Sequence, residues 1–575
     1  MKIARTRFLP GVSFSALASC LLLNAPAAHA DAPLRGNPVE SLPSIGRPSQ
    51  PSAPAPTVAP IPTPEQQAVQ ARLAQRIVPS HFDVSGVHAL PFAEVSGMLT
   101  PLAGKETTVG DLVQQVNKIT EMYRSRGYPL SFALLQNQNF ENGLVVVTVV
   151  EGYIDKVDVT GDIGAARARL EAIAQPLYTE KPLTQATLER VLNLMRTVPG
   201  VTITPNLDLP RRADGATELS VAATRRPVQV LGGVSDLGMG LQPLASVGTN
   251  SLTPLGEQVK LTGAIPLNGQ DARYYAGEVH VPIGHDGLAV KVDGYHYEAQ
   301  PHDAAVESLG FRRTVTNDRL GLGLSYPLLL NNRRSLTGTL GMYGVNGKDR
   351  YDLQGTDRWL QQDTRVRAAT AELRYIDVLP ERTTDVTLSV SHGMTGLGAS
   401  KDITSNYGYS AAPDVDLDFT RYNLTAKQSF ALPAQFGAVF GLLGQYSPNK
   451  LPSSEQVSYG RWRYAMGYPQ GDQSGDKGIG VSAELNRRFP TGWQYVPTVQ
   501  PYVMVDYART WYNDPNLQSV NERHLASASV GVRLTDDKYY LFDLNVARPI
   551  GDLPANSSSR RLQFNANYSI FYDAL

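Results

Sequence analysis

From about residue 225 to residue 575 the chain runs in short segments of alternating apolar and polar positions, separated by Gly, Pro, Asn and Asp. Leu288, Val290 and Val292 alternate with Ala289, Lys291 and Asp293; Ala526, Ala528, Val530, Val532 and Leu534 alternate with Ser527, Ser529, Gly531 and Arg533. The same holds for Tyr540, Phe542, Leu544 and Val546, and for Leu562, Phe564, Ala566, Tyr568 and Ile570. A period of two is that of strands with one apolar face. A soluble sandwich would turn the polar face to water, and a membrane barrel would turn the apolar face to lipid. Two features favour the barrel. The last strand ends in Tyr568, Phe571 and Tyr572, as a closing strand does, and the region has no second set of bulky elements to cover so many apolar faces. Roughly 350 residues hold about fourteen to sixteen such strands with their connections.

Upstream the pattern changes to short α+β units. In residues 78–152, Phe82 and Val84 mark a strand, and Leu112, Val116, Ile119 and Tyr123 share one helical face, with Thr108 as a cap and Gly127 as a stop. Asn142-Gly143 joins the apolar runs Phe132 to Leu135 and Leu144 to Val150 as a hairpin. Residues 153–224 repeat the order: a strand at Ile154, Val157 and Val159, helices over 165–175 and 184–196, and a hairpin turned by Asp214-Gly215. The second helix places Leu188, Val191, Leu192 and Met195 on one face.

Composition adds an address. Residues 1–30 read as a secretory signal: Lys2, Arg5 and Arg7, an apolar run from Phe8 to Leu23, then Ala28-His29-Ala30 before Asp31. A competing reading takes Leu17-Ala18-Ser19-Cys20 as a lipoprotein signal. Cys20 is the only cysteine, so removal of the signal leaves no disulfide, thiolate or cysteine-bound zinc. Residues 31–64 form a proline-rich linker and residues 65–77 a candidate short helix. A net charge of -1 carries no basic footprint for nucleic acid.

In this order, signal, linker, tandem repeats and barrel, the chain resembles the outer-membrane transporters of two-partner secretion, the haemolysin secretion and activation proteins. The local matches are Tyr123-Arg124-Ser125-Arg126-Gly127-Tyr128, Val150-Glu151-Gly152 and Val198-Pro199-Gly200-Val201, with Gln445-Tyr446-Ser447 leading toward a long loop. The resemblance implies a mixed fold: two small α+β polypeptide-transport-associated (POTRA) domains, 78–152 and 153–224, before a transmembrane antiparallel barrel of about sixteen strands, 225–575. It also implies a place in the outer membrane with the POTRA domains in the periplasm. The partner is then a secreted protein with an N-terminal secretion domain, beside outer-membrane lipid, with no nucleotide, cofactor or metal. Tyr123, Arg124, Gly127 and Tyr128 become client-binding candidates.

The loop is expected over residues 460–478, where five glycines and a proline exclude helix or central strand. In the family its tip reads Val-Arg-Gly-Tyr or Val-Arg-Gly-Phe, and the arginine pairs with a lumenal aspartate. Here the matching residues are Ala465-Met466-Gly467-Tyr468, so the arginine is missing. Asp506 alternates with Val503 and Val505 and is therefore expected in the lumen. Either Arg461 or Arg463 supplies its cation, or Asp506 is solvated and the loop is held by Tyr468 and backbone contacts. Asp472 and Asp476 read as turn formers, Asp476 within the pore loop.

No nucleophile elbow, zinc helix or phosphate loop occurs, and the nine histidines are scattered. The expected function is a protein-conducting pore rather than an enzyme. An assembly or insertion factor for membrane proteins is the alternative, and a small-solute porin a third.

Overall fold

The computed structural model describes residues 73–574 apart from 137, 213, 237–240, 265–271, 302–303, 516–522 and 556. The expected signal and linker, and most of the expected helix over 65–77, lie outside these residues. The end of that helix is a different element: Arg76–Ile77 is a strand paired with Thr107–Thr108.

The first repeat is a three-stranded sheet with Leu144–Val150 in the middle, parallel to His81–Ser85 and antiparallel to Phe132–Leu135. Helix Val109–Ser125 covers it, burying Leu112, Val116, Ile119 and Tyr123. Thr108 and Asp111 form a reciprocal capping box that satisfies two helix-end donors. The second repeat has the same order: Ala216–Arg225 lies between Tyr153–Thr160, parallel, and Val201–Leu207, antiparallel. Helices Ala166–Ala174 and Gln185–Arg196 close over its core. In Gln185–Arg196 it is Val191, Leu194 and Met195 that are buried, while Leu188 and Leu192 are only half-buried. The buried stripe is thus rotated slightly from the expected one, because this helix also faces the barrel.

Sixteen antiparallel strands then close a barrel. The last, Gln563–Ala574, pairs with the first, Val228–Asp236, from Asn567↔Ser235 to Ala574↔Val228. Closure removes the free edges that lipid could not satisfy. Outward positions are apolar and exposed, as at Leu320, Leu340, Val503, Val530 and Phe564, whereas Asp506, Ser527 and Ser529 on the opposite face are buried. Among the described residues no helix is long and apolar enough to cross a membrane. Phe311–Leu330 and Arg334–Leu353 each have 20 residues, about twice what a bilayer requires, and rise well beyond it.

The second repeat is pinned to the barrel end where the chain enters. Arg190 on helix Gln185–Arg196 donates to Asp286 at 2.9 Å, to the Pro327 carbonyl at 3.1 Å and to the Tyr326 hydroxyl at 3.0 Å. Asn193 donates to Asn332 at 3.0 Å, and the Asn332 amide donates to Glu189 at 3.2 Å. This end of the barrel is therefore the repeat-bearing one.

Candidate functional site

Strand Phe436–Tyr446 reaches the opposite end, and the chain does not turn straight back into Lys477–Arg487. Residues 447–476 fold into the barrel instead, so the loop begins earlier than the expected 460–478, and Gly478 already belongs to a strand. Its stem is a two-stranded ribbon, Val457–Tyr459 against Gln473–Gly475. The tip turns on left-handed backbone at Arg461, Tyr464 and Ala465, and on Gly460 at φ 135, where a Cβ would lie 2.0 Å from the Pro469 carbonyl oxygen. The Gly460 and Arg461 amides donate to the Tyr464 and Ala465 carbonyls at 3.0 and 3.1 Å.

The loop packs as a core rather than floating in water. Val457, Tyr459, Ala465 and Tyr468 are fully buried with Ala508 and Leu525 of the wall. The wall makes room with glycine: Cβ atoms at Gly478 and Gly480 would stand 2.7 to 2.8 Å from the Tyr459 and Tyr464 rings or the Val457 side chain. A glycine inside a strand marks such close approach.

Polar contacts fix the loop at four places. At the tip, the Asp506 carboxylate accepts the Met466 backbone N–H at 2.8 Å and the Ser527 hydroxyl, while the Gly467 N–H donates to Ser527 Oγ at 3.0 Å. Arg461 donates from Nε to Asn565 Oδ1 at 2.9 Å, and Tyr468 donates to the Asp552 carbonyl at 2.8 Å. On the far wall, Glu455 pairs with Arg421 at 2.9 Å and accepts the Tyr343 hydroxyl at 2.8 Å. Nearer the mouth, Asp472 pairs with Arg523 at 2.8 Å and accepts the Ala555 N–H, while Asp476 accepts the amides of Leu451 and Asn513 at 2.9 and 2.8 Å.

Several expectations change. Asp506 faces the lumen but is 6% exposed, so it is not solvated. It meets the loop through a main-chain amide, and the Arg461 head goes to Asn565. Arg463 bridges Gly460 through its main chain. Asp472 and Asp476 are buried clasps between the loop and its neighbours, not simple turn formers. Glu455, Arg421, Tyr343, Arg523, Ser527 and Asn565 escaped sequence reasoning, because their partners lie far away along the chain; the strand glycines Gly478 and Gly480, also passed over, are the local signal that could have pointed to the packed loop.

In the first repeat, Tyr123 is fully buried and donates to Glu151 at 2.8 Å; burial and then this bond push its phenol well above the ordinary range. Glu151 also accepts the His88 and Ala89 amides, so Tyr123 organises the repeat and presents no surface to a client. Gly127, at φ 89, offers its carbonyl to the Gln185 amide at 2.7 Å and so joins the two repeats. Tyr128 stacks edge-on against Tyr123 at 6.0 Å, and Arg124 alone of these four is exposed.

A family model for the haemolysin secretion/activation protein ShlB/FhaC/HecB matches residues 244–534, and one for the ShlB-type POTRA domain matches residues 77–152. The chain belongs to the ShlB/FhaC/HecB family. This family transporter is 23% identical over 472 residues to the heme/hemopexin transporter protein HuxB of Haemophilus influenzae (strain 86-028NP), across 80% of each chain. It is 24% identical to the outer membrane transporter CdiB of Escherichia coli over 79% of this chain and 75% of the relative. The solved structure of CdiB from Escherichia coli superposes with a TM-score of 0.67 at 19% identity, covering 90% of this chain and 93% of that one. Like its family, the ShlB-type chain is an outer-membrane transporter of two-partner secretion that moves a partner protein, with its POTRA repeats in the periplasm.

Proposed function

We propose that the repeats capture the partner as an extended strand and pass it into the barrel, where the loop 447–476 is the element that must yield or be skirted. The observation that carries this is one sheet edge in each repeat with no backbone partner among the described residues, that of the second repeat held at the barrel mouth. Of four edges, two are occupied: the Ala133 N–H bonds Thr120, and Val157 N–H and the Val159 carbonyl bond Tyr178 and Arg167. The client adds to His81–Ser85 or Val201–Leu207, whose exposed alternate residues include Asp83 and Asn206. Arg124 stands outside the core and meets the same client. The client is an exported protein recognised through an N-terminal secretion domain. Transport needs no nucleotide or cofactor and no catalysis by this chain; folding of the client outside makes the backward step unfavourable.

A photoactivatable residue at Asp83 or Asn206 of the full transporter should crosslink a secreted partner, and one at exposed Glu121 should not. Equal crosslinking at all three sites argues against strand addition. Deletion of residues 78–224 should abolish secretion while leaving an open barrel; unchanged secretion would sink the reading.

A further inference from the structure

Three arginines converge on one carboxylate at the periplasmic rim. Asp377 receives Arg333 at 2.7 Å, Arg382 at 3.2 Å and Arg334 at 3.4 Å. Its side chain is 5% exposed, while those of the arginines remain 45%, 42% and 45% exposed. One anion cannot neutralise three cations, and with exposed Glu381 of the adjacent turn counted a positive charge is still left over. The Nε–H of Arg382 has no acceptor among the described residues.

The alternation of the strands puts this cluster on the lipid side. Arg334 shares its face with Leu340, Asp377 with Leu373 and Arg382 with Leu388, and these leucines are 67%, 46% and 45% exposed. Leu328 of the neighbouring strand joins them, packed over Gly338 beside Leu373. The level is fixed by Asn332, which precedes Arg333 and touches the second repeat, so the guanidiniums lie where the periplasmic leaflet has its headgroups. Arginine forks suit phosphate oxygens, and the leucine strip above them suits an acyl chain.

We propose that this patch holds the phosphodiester of an anionic phospholipid of the periplasmic leaflet, its chains lying on Leu328, Leu340 and Leu373. Such a lipid sits against the turn that anchors the second repeat, and so becomes part of the seating of the periplasmic domains.

The test is native mass spectrometry of the full transporter released from detergent after incubation with phosphatidylglycerol, phosphatidylcholine or soluble glycerol phosphate. Phosphatidylglycerol should stay bound in preference to phosphatidylcholine, and R333Q/R334Q/R382Q should lower its retention about tenfold or more. Arg358→Gln, near the far end, should not lower it. If the triple variant lacks the heat-modifiable mobility of a folded barrel, Arg382→Gln alone should still lower retention about fivefold. Equal retention of both lipids, equal competition by glycerol phosphate, or unchanged retention in a folded variant overturns the proposal.

Discussion

The backbone amide of Met466 donates to the carboxylate of Asp506 at 2.8 Å, joining the loop tip to the barrel wall without any charge on the loop side chain. The contact depends on the main chain at 466 and on the side chain at 506. Met466→Leu should therefore leave secretion and single-channel conductance within about twofold. Asp506→Ala strands the Met466 amide and Ser527 hydroxyl in a buried site, which costs about 2–4 kcal/mol of loop seating. Planar-bilayer recordings should show larger or noisier conductance for Asp506→Ala alone; equal behaviour of the two variants would refute the backbone anchor.

Gly467 lies where a Cβ would come within 2.7 Å of the main chain at Arg548 and Pro549. Backbone cannot swing aside as a side chain does. Gly467→Ala should lift the tip off the wall at a cost of about 1–3 kcal/mol, seen as raised protease sensitivity within residues 447–476 in the folded barrel. A protected loop in Gly467→Ala would show that the tip has slack.

The Asp472 side chain is fully buried while Arg523 keeps 25% exposure, so the guanidinium holds the carboxylate from the mouth side. Arg523→Gln leaves a buried carboxylate short of its cation, destabilising the loop by about 2 kcal/mol after allowance for solvent screening. The temperature at which the heat-modifiable folded band disappears on gels should fall. Asp472→Asn/Arg523→Gln should recover part of the loss, because the buried charge is gone.

Tyr123→Phe removes one donor from Glu151, which keeps its two amide donors from His88 and Ala89. The expected cost is about 1 kcal/mol, against about 3–5 kcal/mol for Tyr123→Ala, which empties the core. Pulse proteolysis of the first repeat in the full transporter measures both. Tyr123→Phe should leave partner affinity unchanged, whereas Arg124→Ala should lower it if the client passes the exposed helix end.

Burial alone would raise the Asp286 carboxyl, but the bonds from Tyr326 and Arg190 outweigh it and hold the carboxyl below its ordinary 3.8. A depressed carboxyl favours the docked state at all pH above the undocked value, and this contribution disappears as pH falls through the lower, docked value. Spin-label distances between the second repeat and the rim should stay constant from neutral pH down to about 4 and broaden below it. In Asp286→Asn the distances should be broad throughout and insensitive to this acid range.

The period-two alternation determined the strands, because one face of each must meet lipid and the other must not. The helical faces of Leu112 to Tyr123 and the turn residues Asn142-Gly143 likewise set the repeats, since capping and turn preferences act within a few residues. Even the lumenal side of Asp506 was readable, from its alternation with the apolar Val503 and Val505. What Asp506 touches was not. A sequence shows a missing arginine at Met466, but a backbone N–H is present at every residue except proline and carries no signal until the fold brings one to 2.8 Å. The same holds for Asp472 with Arg523 and Glu455 with Arg421, pairs separated by tens of residues. Only closure of the barrel around residues 447–476 puts them side by side, and burial there turns ordinary polar residues into obligatory partners.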